Sequence, residues 1–314
     1  MIRMPGRSHR GPLPPLEPQD QAVRDRLRAH VEHLAGRIGE RNVWAPRELE
    51  AAAVYVEEQL GAAGDPVERH EFSAEGARVR NVVAERRGSD PAAIVVVGAH
   101  YDSVLGSPGA NDNASGVAAL LEIARLLRGR PLRSTVHFAG FVNEEPPFFL
   151  SDEMGSLQYA RRCRSRGETV AAMLSLETIG RYFEAEGSQR YPFPLSALYP
   201  STADFIAFVG DLRSRPLLRR VIGRFRAAAR FPSEGAALPE AVPGVGWSDH
   251  WSFWQNGYPA VLVTDTAPYR DPAYHTADDR PANVDYDRLA RVTRGLAEVV
   301  ADLAGQPPLS GRGP

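Results

Sequence analysis

The sequence predicts an α/β protein with three layers, in which a mixed, mostly parallel sheet carries helices on both faces. Apolar runs typical of strands alternate with amphipathic helical patterns, an order that favours parallel strands joined by helices. Several of these runs are continuous and rich in β-branched residues, as in strands buried on both faces. With 314 residues, the chain is long enough for one large domain with a sizeable core.

The individual elements follow from the spacing of the apolar residues. Helical periodicity predicts amphipathic helices, strict alternation predicts neighbouring antiparallel strands, and continuous apolar runs predict buried strands. In chain order we expect helices at 19–37 and 46–61, strands at 66–73 and 78–86, the strand AAIVVVGAH, a helix at 116–127, the strand STVHFAGFVN, a helix at 153–166, the strand TVAAMLSLE, a helix at 214–229, the strand GYPAVLVTD and a helix at 286–304.

These elements define a single domain at 19–305. Residues 1–18 carry five prolines and are expected to form a disordered tail, and residues 306–314 are expected to form a flexible one. Residues 185–245 are richer in proline and less regular than the rest of the chain. We interpret this stretch as a rim or lid over the functional site, within the same domain.

The composition excludes several classes of function. The net charge of −2 favours neither a nucleic acid nor a membrane surface as a partner. All 37 basic residues are arginine, so Schiff-base chemistry and the P-loop lysine are excluded. The sequence has no G-x-S-x-G elbow and no G-x-G-x-x-G loop, and HEFSA lacks the second histidine of H-E-x-x-H.

The cysteine count and the N-terminus bear on the cellular compartment. The single cysteine, Cys163, rules out an internal disulfide and is expected to be inert. The N-terminal stretch lacks the apolar segment of a signal peptide, and the longest apolar runs are far too short for a bilayer. Together these features favour a cytoplasmic protein.

Histidine and carboxylate side chains follow four of the predicted strands. In chain order they are His100, Asp102, Glu144, Glu145, Glu177 and His275. Because the carboxyl ends of parallel strands meet at one edge of a sheet, we expect these groups to converge. Carboxylates that are buried side by side need cations, and the chain has no lysine to supply them. Histidines with several carboxylates suit zinc or another borderline divalent ion.

Taken alone, each of these residues has a simpler interpretation. The alternatives are a core histidine for His100, a solvated turn for Glu144 and Glu145, a helix cap for Glu177 and a loop position for His275. Asp102 lies two residues after His100 in a strand, so it faces the same side and suits support of a ligand histidine. The adjacent glutamates face opposite sides, which allows one to bind metal and the other to act as a base.

One further carboxylate lies in the loop GANDNASG, at 109–116. Its small residues, glycines and asparagines are unsuited to a core strand or a helix interior. The sequence therefore places an acid, Asp112, in a loop between a strand and a helix.

Six blocks of sequence occur in an order and context that resembles the M28 family of zinc peptidases. The blocks are GAHYDSV, GANDNASG, NEE, SLETIG, SDH and YHT, and the resemblance runs from about Asn81 to the terminal helix. It implies two zinc ions per chain and a cis peptide bond at 112–113. The ligands that it implies are His100 and Glu177 for one ion, Glu145 and His275 for the other, and Asp112 as the bridge.

The same resemblance implies a metallopeptidase domain that removes the first residue from a peptide with a free N-terminus. In such an enzyme Glu144 takes the proton of the attacking water, the hydroxyl of Tyr274 stabilises the oxyanion, and Asp102 supports a ligand histidine. Asp249 and His250, in the SDH block, are expected to be pocket or supporting groups.

The chain departs from the family in two places. The family often has aspartate at the position of Glu177, so the geometry of one metal site must absorb an extra methylene. The segment PPFFLSDEMGS is longer than in simpler members. In that segment, Phe148 and Phe149 either line a specificity pocket or pack under the loop.

Two alternatives remain open. One is a single-zinc acyltransferase that resembles glutaminyl cyclase, against which the GANDNASG loop favours a hydrolase. The other is a catalytically inert binding module of the same fold, which the presence of all the ligand types and the base disfavours. The sequence does not separate aminopeptidase from dipeptidase or carboxypeptidase activity, and it gives neither a preferred residue nor an oligomeric state.

Overall fold

The computed structural model describes residues 3–305 and has the predicted α/β architecture, with one sheet between layers of helices. The described residues form eight strands: β1 (Val67–Ala74), β2 (Ala77–Arg86), β3 (Ile94–His100), β4 (Thr135–Phe141), β5 (Val170–Glu177), β6 (Ile206–Gly210), β7 (Ser233–Ala237) and β8 (Ala260–Thr264). Their order across the sheet is β1-β2-β4-β3-β5-β8-β6-β7.

The centre of the sheet is parallel, as the sequence predicts. β3 pairs in parallel with β4 and β5, and β5 pairs in parallel with β8, so these strands end at one edge. On one flank, β2 is antiparallel to both β1 and β4. On the other flank, β6 is antiparallel to β8 and parallel to β7. The sheet is therefore mixed and mostly parallel.

Helices cover both faces of the sheet. They are α1 (Pro18–Val31), α2 (Pro46–Ala62), α3 (Gly116–Leu126), α4 (Gly155–Ser165), α5 (Arg215–Ala228), α6 (His250–Gln255) and α7 (Tyr286–Gly305). α1 continues as a π-helical segment, Glu32–Ile38. In β3, Val95 and Val97 belong to the larger core that α1, α2, α3, α5 and α7 share, whereas Ile94 and Val96 belong to the core that α4 and α6 share.

The periodicity of the terminal helix explains how it is held. In α7, the residues that the helical spacing marks as apolar are fully buried, namely Leu289, Val292, Leu296 and Val299. The helix packs against α1, α3 and α5. Its buried stripe therefore joins three other helices on the larger core.

Three elements were not predicted from the sequence, namely β6, β7 and α6. The stretch 185–245 contributes β6, α5 and β7 to the sheet and its helix layer, and the remaining parts of it are irregular. β7 reads SEGAA, which has no β-branched or aromatic residue. Its strand conformation depends on pairing with β6, a partner that local propensity does not reveal.

The structure describes most of the N-terminal tail but not the C-terminal one. Residues 3–17 have no helix or strand, and residues 3–8 lie along α5 and β7, where the backbone N–H of Ser233 donates to Ser8 Oγ at 2.8 Å. Arg226 Nη1 donates to the carbonyl oxygen of Pro5 at 3.2 Å. The tail expected at 306–314 lies outside the described residues. Within residues 3–305, every helix falls short of the length or the apolarity that a membrane crossing requires.

Candidate metal centre

The parallel strands deliver histidine and carboxylate side chains to one edge of the sheet. His100 is the last residue of β3 and Glu177 is the last residue of β5. Glu144 and Glu145 follow the end of β4, and His275 follows β8 after a short irregular segment. Asp112 lies at the same edge, in the segment Ala110–Ser115 that precedes α3.

The two oxygens of Asp112 face two different histidines. His100 Nε2 lies 3.3 Å from Asp112 Oδ1 and 3.1 Å from Glu177 Oε2. His275 Nε2 lies 3.1 Å from Asp112 Oδ2 and 3.3 Å from Glu145 Oε2. The structure thus brings together all the residues that the sequence marks as ligands, in two sets that share Asp112.

The chemistry of these groups fits divalent metal ions. In each set, ligand atoms of one histidine and two carboxylates lie within 4.8 Å of one another. Neither ring nitrogen of His100 has a hydrogen-bond partner among the described residues, although the side chain is fully buried. A buried imidazole that makes no hydrogen bond is costly, and a cation bound between it and the carboxylates would satisfy both. Nitrogen and oxygen donors in this combination suit zinc.

The electrostatics of the cluster lead to the same conclusion. Burial raises the pKa of Glu145 and of Glu177 to about 7, despite the nearby imidazoles. Burial also raises the pKa of Glu144 well above its usual range. Burial opposes protonation of His275, but hydrogen bonds to Asp112 and Glu145 raise its pKa to about 10. Among protein groups alone, the carboxylates compete for too few positive charges, and bound cations would relieve this competition.

Two asparagines hold the loop that carries Asp112. The side chain of Asn113 donates to the carbonyl oxygen of Leu176 at 2.8 Å and accepts from the backbone N–H of Thr178 at 3.1 Å. Asn111 Oδ1 accepts from the backbone N–H of Gly180 at 2.8 Å. Both asparagines therefore fix the loop to the end of β5. The peptide bond at 112–113 is cis, as the family resemblance implies.

A glycine precedes this loop where the backbone turns sharply. Gly109 has φ +60°, and a Cβ atom built there would lie 2.3 Å from the carbonyl oxygen of Asp112. Both the conformation and the close approach therefore exclude a larger residue. The buried guanidinium of Arg41 donates to the carbonyl oxygen of Gly109 at 2.9 Å and to that of Pro108 at 2.6 Å. Arg41 thus fixes two consecutive carbonyl groups of the turn.

Asp102 lies behind the two glutamates. Its Oδ1 accepts from the backbone N–H of Glu144 at 3.3 Å, and its Oδ2 accepts from that of Glu145 at 3.2 Å. Asp102 Oδ1 also lies 3.5 Å from His100 Nδ1. Glu144 Oε2 lies 3.8 Å from His100 Nε2, so its carboxylate faces the centre. It belongs to neither set that shares Asp112, but with His100 and Glu145 it forms a third group of possible ligands.

Tyr274 and the SDH block lie next to this centre. The ring of Tyr274 stacks on that of His275, with 3.8 Å between the centroids, and it lines an apolar cavity beside Glu177. Burial raises the pKa of Tyr274 far above its usual range, so its hydroxyl stays protonated. Asp249 is buried, and its carboxylate has no hydrogen-bond partner among the described residues. His250 Nε2 lies 2.8 Å from the carbonyl oxygen of Val245.

Two supporting residues were missed in the sequence. Ser248 Oγ donates to Glu177 Oε2 at 2.8 Å. The carboxylate of Asp279 accepts from the backbone N–H groups of Asn111 at 2.8 Å and of Asp112 at 3.0 Å. The only signal for Ser248 was its place in the SDH block, and nothing in the sequence near Asp279 indicated its role.

Three other residues are placed away from the centre. Phe148 is buried in the larger core, and neither it nor Phe149 lines the cavity beside Glu177, so Phe148 packs under its loop. Cys163 is buried in the smaller core, and burial raises its pKa to about 12. A thiol with such a pKa is a poor nucleophile.

Comparison with known proteins identifies the family to which this chain belongs. The model of peptidase family M28 matches residues 81–300. The uncharacterized protein YfbL of Escherichia coli (strain K12) is 36% identical over 281 residues, which cover 87% of this chain and 86% of that protein. A probable zinc metalloprotease of Pyrenophora teres f. teres is 30% identical over 74% of this chain and 53% of that protein, so this chain spans about half the length of such fungal relatives.

A solved structure shows the same fold. The zinc aminopeptidase BSAP from Bacillus subtilis superimposes with a TM-score of 0.68 and 16% sequence identity, over 90% of this chain and 95% of that chain. At this identity the likeness concerns the fold alone. The family model, by contrast, covers more than half of the chain and includes every residue of the two ligand sets. The chain belongs to peptidase family M28 and is a metal-dependent peptidase.

Proposed function

We propose that this chain is an aminopeptidase that uses two zinc ions to release the first residue of a peptide with a free N-terminus. The division of the Asp112 oxygens between two histidine–carboxylate pairs supports this proposal most directly. A single carboxylate that faces two ligand sets is what a pair of bridged ions requires.

The ligand assignment follows from the two sets. His100 and Glu177 would hold one ion and Glu145 and His275 the other, and Asp112 would serve both. When bound, the two ions supply Lewis acids that polarise the scissile carbonyl and lower the pKa of the attacking water. Ser248, through its hydrogen bond to Glu177, orients the longer carboxylate that replaces the aspartate common in the family.

The proton transfers belong to Glu144. Its carboxylate faces the centre without taking part in either bridged set, so it is free to accept a proton from the attacking water and to donate it to the leaving amine. The raised pKa of Glu144 suits a group that both accepts and donates. Asp102 holds the backbone of Glu144 and thereby positions the base.

The oxyanion and the α-amine need separate partners. The protonated hydroxyl of Tyr274, next to His275, donates a hydrogen bond to the oxyanion of the tetrahedral intermediate. The free α-amine of the substrate would donate hydrogen bonds to carboxylate oxygens of the centre, a contact that needs no net negative charge there. An acylated N-terminus would lose most of these hydrogen bonds, so the contact favours cleavage after the first residue.

Turnover of amino-acid p-nitroanilides by the zinc-loaded protein tests this proposal. We expect hydrolysis that a chelator abolishes and added zinc restores, together with no hydrolysis of the N-acetylated anilides. Hydrolysis of the acetylated substrates at an equal rate contradicts the exopeptidase assignment. A peptide with N-terminal glutamine tests the acyltransferase alternative. Cyclisation of the glutamine without cleavage of the peptide would favour the acyltransferase over the hydrolase.

Metal analysis of the purified protein tests the inert alternative. We expect two zinc ions per chain after dialysis against a micromolar concentration of zinc. One ion per chain contradicts the bridged pair, and the absence of any bound ion favours a catalytically inert binding module.

A further inference from the structure

An apolar cavity opens directly beside the candidate metal centre. Its empty space, counted with the solvent at its mouth, is about 840 Å³. Glu177 and Tyr274 line it on the side of the metal centre. Its walls come from the irregular segments at 189–199, 238–247 and 266–274, and aromatic rings line much of them.

The floor of this cavity is one face of the sheet. Strand pairing aligns four residues in a row across β5, β8, β6 and β7, namely Glu177, Thr264, Ala207 and Glu234. Residues paired in this way face the same side of a sheet, and all four line the cavity. The small side chains of Thr264 and Ala207 leave a trough between the two glutamates. Three strand spacings separate the Cα atoms of these glutamates, which is roughly 14 Å.

Glu234 lies at the end of the trough away from the metal centre. No hydrogen bond or ion pair to its carboxylate is formed by the described residues. Apart from Glu177, every other residue that lines the cavity within the described range is uncharged. In a chain with 37 basic residues, the trough thus carries a second carboxylate and no arginine.

Two arginines have charges that act on Glu234, and of these Arg226 is engaged elsewhere, whereas Arg10 forms no direct ion pair with Glu234. Arg226 donates through Nε and Nη2 to the hydroxyl and carbonyl oxygens of Ser233, at 3.0 and 2.6 Å, and through Nη1 to Pro5. Burial raises the pKa of Glu234, and the charges of Arg226 and Arg10 offset only part of this shift. The Glu234 carboxylate therefore lacks a direct cationic partner in an apolar setting.

We propose that this trough receives the side chain of the first substrate residue and that Glu234 selects a basic residue, arginine or lysine, at that position. The inference rests on the proposed aminopeptidase function. The methylene stem of such a residue packs over Ala207 between the aromatic walls, and its cation reaches Glu234. A carboxylate at the end of an apolar trough favours a long stem with a charged tip over a purely apolar side chain. The ring faces of Tyr191 and Tyr199, which stack on one another, add a favourable surface for the cation.

The hydroxyl groups of these tyrosines do not compete for the cation. Tyr191 Oη donates to the carbonyl oxygen of Pro200 at 2.7 Å, and Tyr199 Oη donates to that of Gly235 at 3.0 Å. Both rings are therefore held in place by the backbone. Glu234 is left as the specificity-determining group at this end of the trough.

The test compares anilides whose side chains differ in charge. Lysine and norleucine anilides share the same four-carbon stem, so the ratio of their kcat/KM values isolates the ammonium group. For the zinc-loaded wild type we expect a ratio of tenfold or more in favour of lysine, and arginine anilide to exceed leucine anilide similarly. Glu234→Gln should reduce the lysine-to-norleucine ratio to within threefold of unity, mainly through KM.

Asp204→Asn is the matched control. Asp204 lies close enough to raise the pKa of Glu234 but does not line the cavity, so this variant should keep the wild-type ratio. A wild type that prefers norleucine, or a Glu234→Gln variant that keeps the ratio, overturns the inference. If the Glu234→Gln variant fails to fold, the lysine-to-norleucine ratio of the wild type still tests the inference. If leucine and norleucine anilides are cleaved as well as those of basic residues, the proposed selectivity is contradicted but the aminopeptidase function is not. If no anilide is cleaved, the aminopeptidase proposal is contradicted as well.

Discussion

At the scale of single residues, the candidate centre depends on contacts that join distant parts of the chain. The backbone of Asp112 is held by Asp279, which lies 167 positions further along the chain, and Glu177 is held by Ser248. The convergence of the other histidines and carboxylates could be predicted because each follows a strand, whereas the role of Asp112 came only from the resemblance to the family. Their supports could not be predicted, because a serine or an aspartate in a loop has no periodic pattern that marks its partner.

The first prediction concerns the base. Glu144→Gln removes the group that accepts the proton but preserves its size, and Glu144 belongs to neither set that shares Asp112. We expect kcat to fall about 1,000-fold, the middle of the range of general-base effects, while two zinc ions stay bound. Steady-state kinetics and metal analysis on the same preparation check this. Loss of one ion, or a rate within tenfold of wild type, contradicts the assignment.

The second prediction concerns Ser248 and the metal at Glu177. Ser248→Ala removes the hydrogen bond to Glu177 Oε2 and leaves the ligand itself in place. Because groups that orient a metal ligand contribute about 10- to 100-fold to affinity, we expect one of two zinc sites to weaken by that factor. Competition with a chromogenic chelator measures both affinities. Ser165→Ala, on the surface at the end of α4, is the control and should leave both unchanged.

At the scale of elements, two helical glycines are expected to respond in opposite ways to the same substitution. A Cβ atom at Gly295 of α7 would lie 2.6 Å from the ring of Phe225 and 2.8 Å from Cβ of Ala229. At Gly61 of α2 the nearest atom is 3.9 Å away. Alanine favours helices by about 1 kcal/mol over glycine, so only the crowding distinguishes the two sites.

We therefore expect Gly61→Ala to raise the free energy of unfolding by up to about 1 kcal/mol. Gly295→Ala should lower it by about 1–3 kcal/mol, because the fully buried Phe225 cannot move aside without loss of packing. Urea denaturation of both variants measures the difference. Stabilisation by Gly295→Ala would show that α5 and α7 separate more easily than their packing indicates.

The elements also show where sequence patterns stop being informative. The long helices and the continuous apolar strands were predicted because periodicity and burial act over many residues. β6 and β7 are five residues each, and α6 is six residues long, so each spans only about two periods of its pattern. The conformation of β7 depends on its pairing with β6 in the sheet. The floor of the trough beside the metal centre is built partly from these short strands, which is why the cavity could not be predicted.

At the scale of the whole molecule, the change in strand direction after β8 separates two tasks. The parallel strands β4, β3, β5 and β8 gather ligands at their carboxyl ends. β6 then runs antiparallel to β8, so its side chains extend the floor beside the centre instead of adding another ligand-bearing end. In the proposed function, the sheet would hold the metals at one edge and accommodate a substrate side chain on the adjoining face.

The last prediction concerns how the whole fold responds to pH once its metals are removed. In the metal-free protein the pKa of Glu145 and of Glu177 is about 7, above the usual 4.5, because both are buried. The pKa of His275 is about 10 against a usual 6.5, because its contacts with Asp112 and Glu145 outweigh burial. Each of these groups binds its proton more tightly in the folded state, so stability is lost as pH rises from about 4.5 to 10.

We therefore expect the Tm of the chelator-treated protein to fall steadily between pH 5 and pH 9. The zinc-loaded protein should change less, because the ions replace these protons as the positive charges of the cluster and bind more tightly as the ligands lose them. The gap in Tm between the two forms then widens with pH, which differential scanning fluorimetry measures directly. A gap that stays constant or narrows would mean that the carboxylates of the centre do not depend on bound cations, since pH would then act on groups elsewhere in the fold.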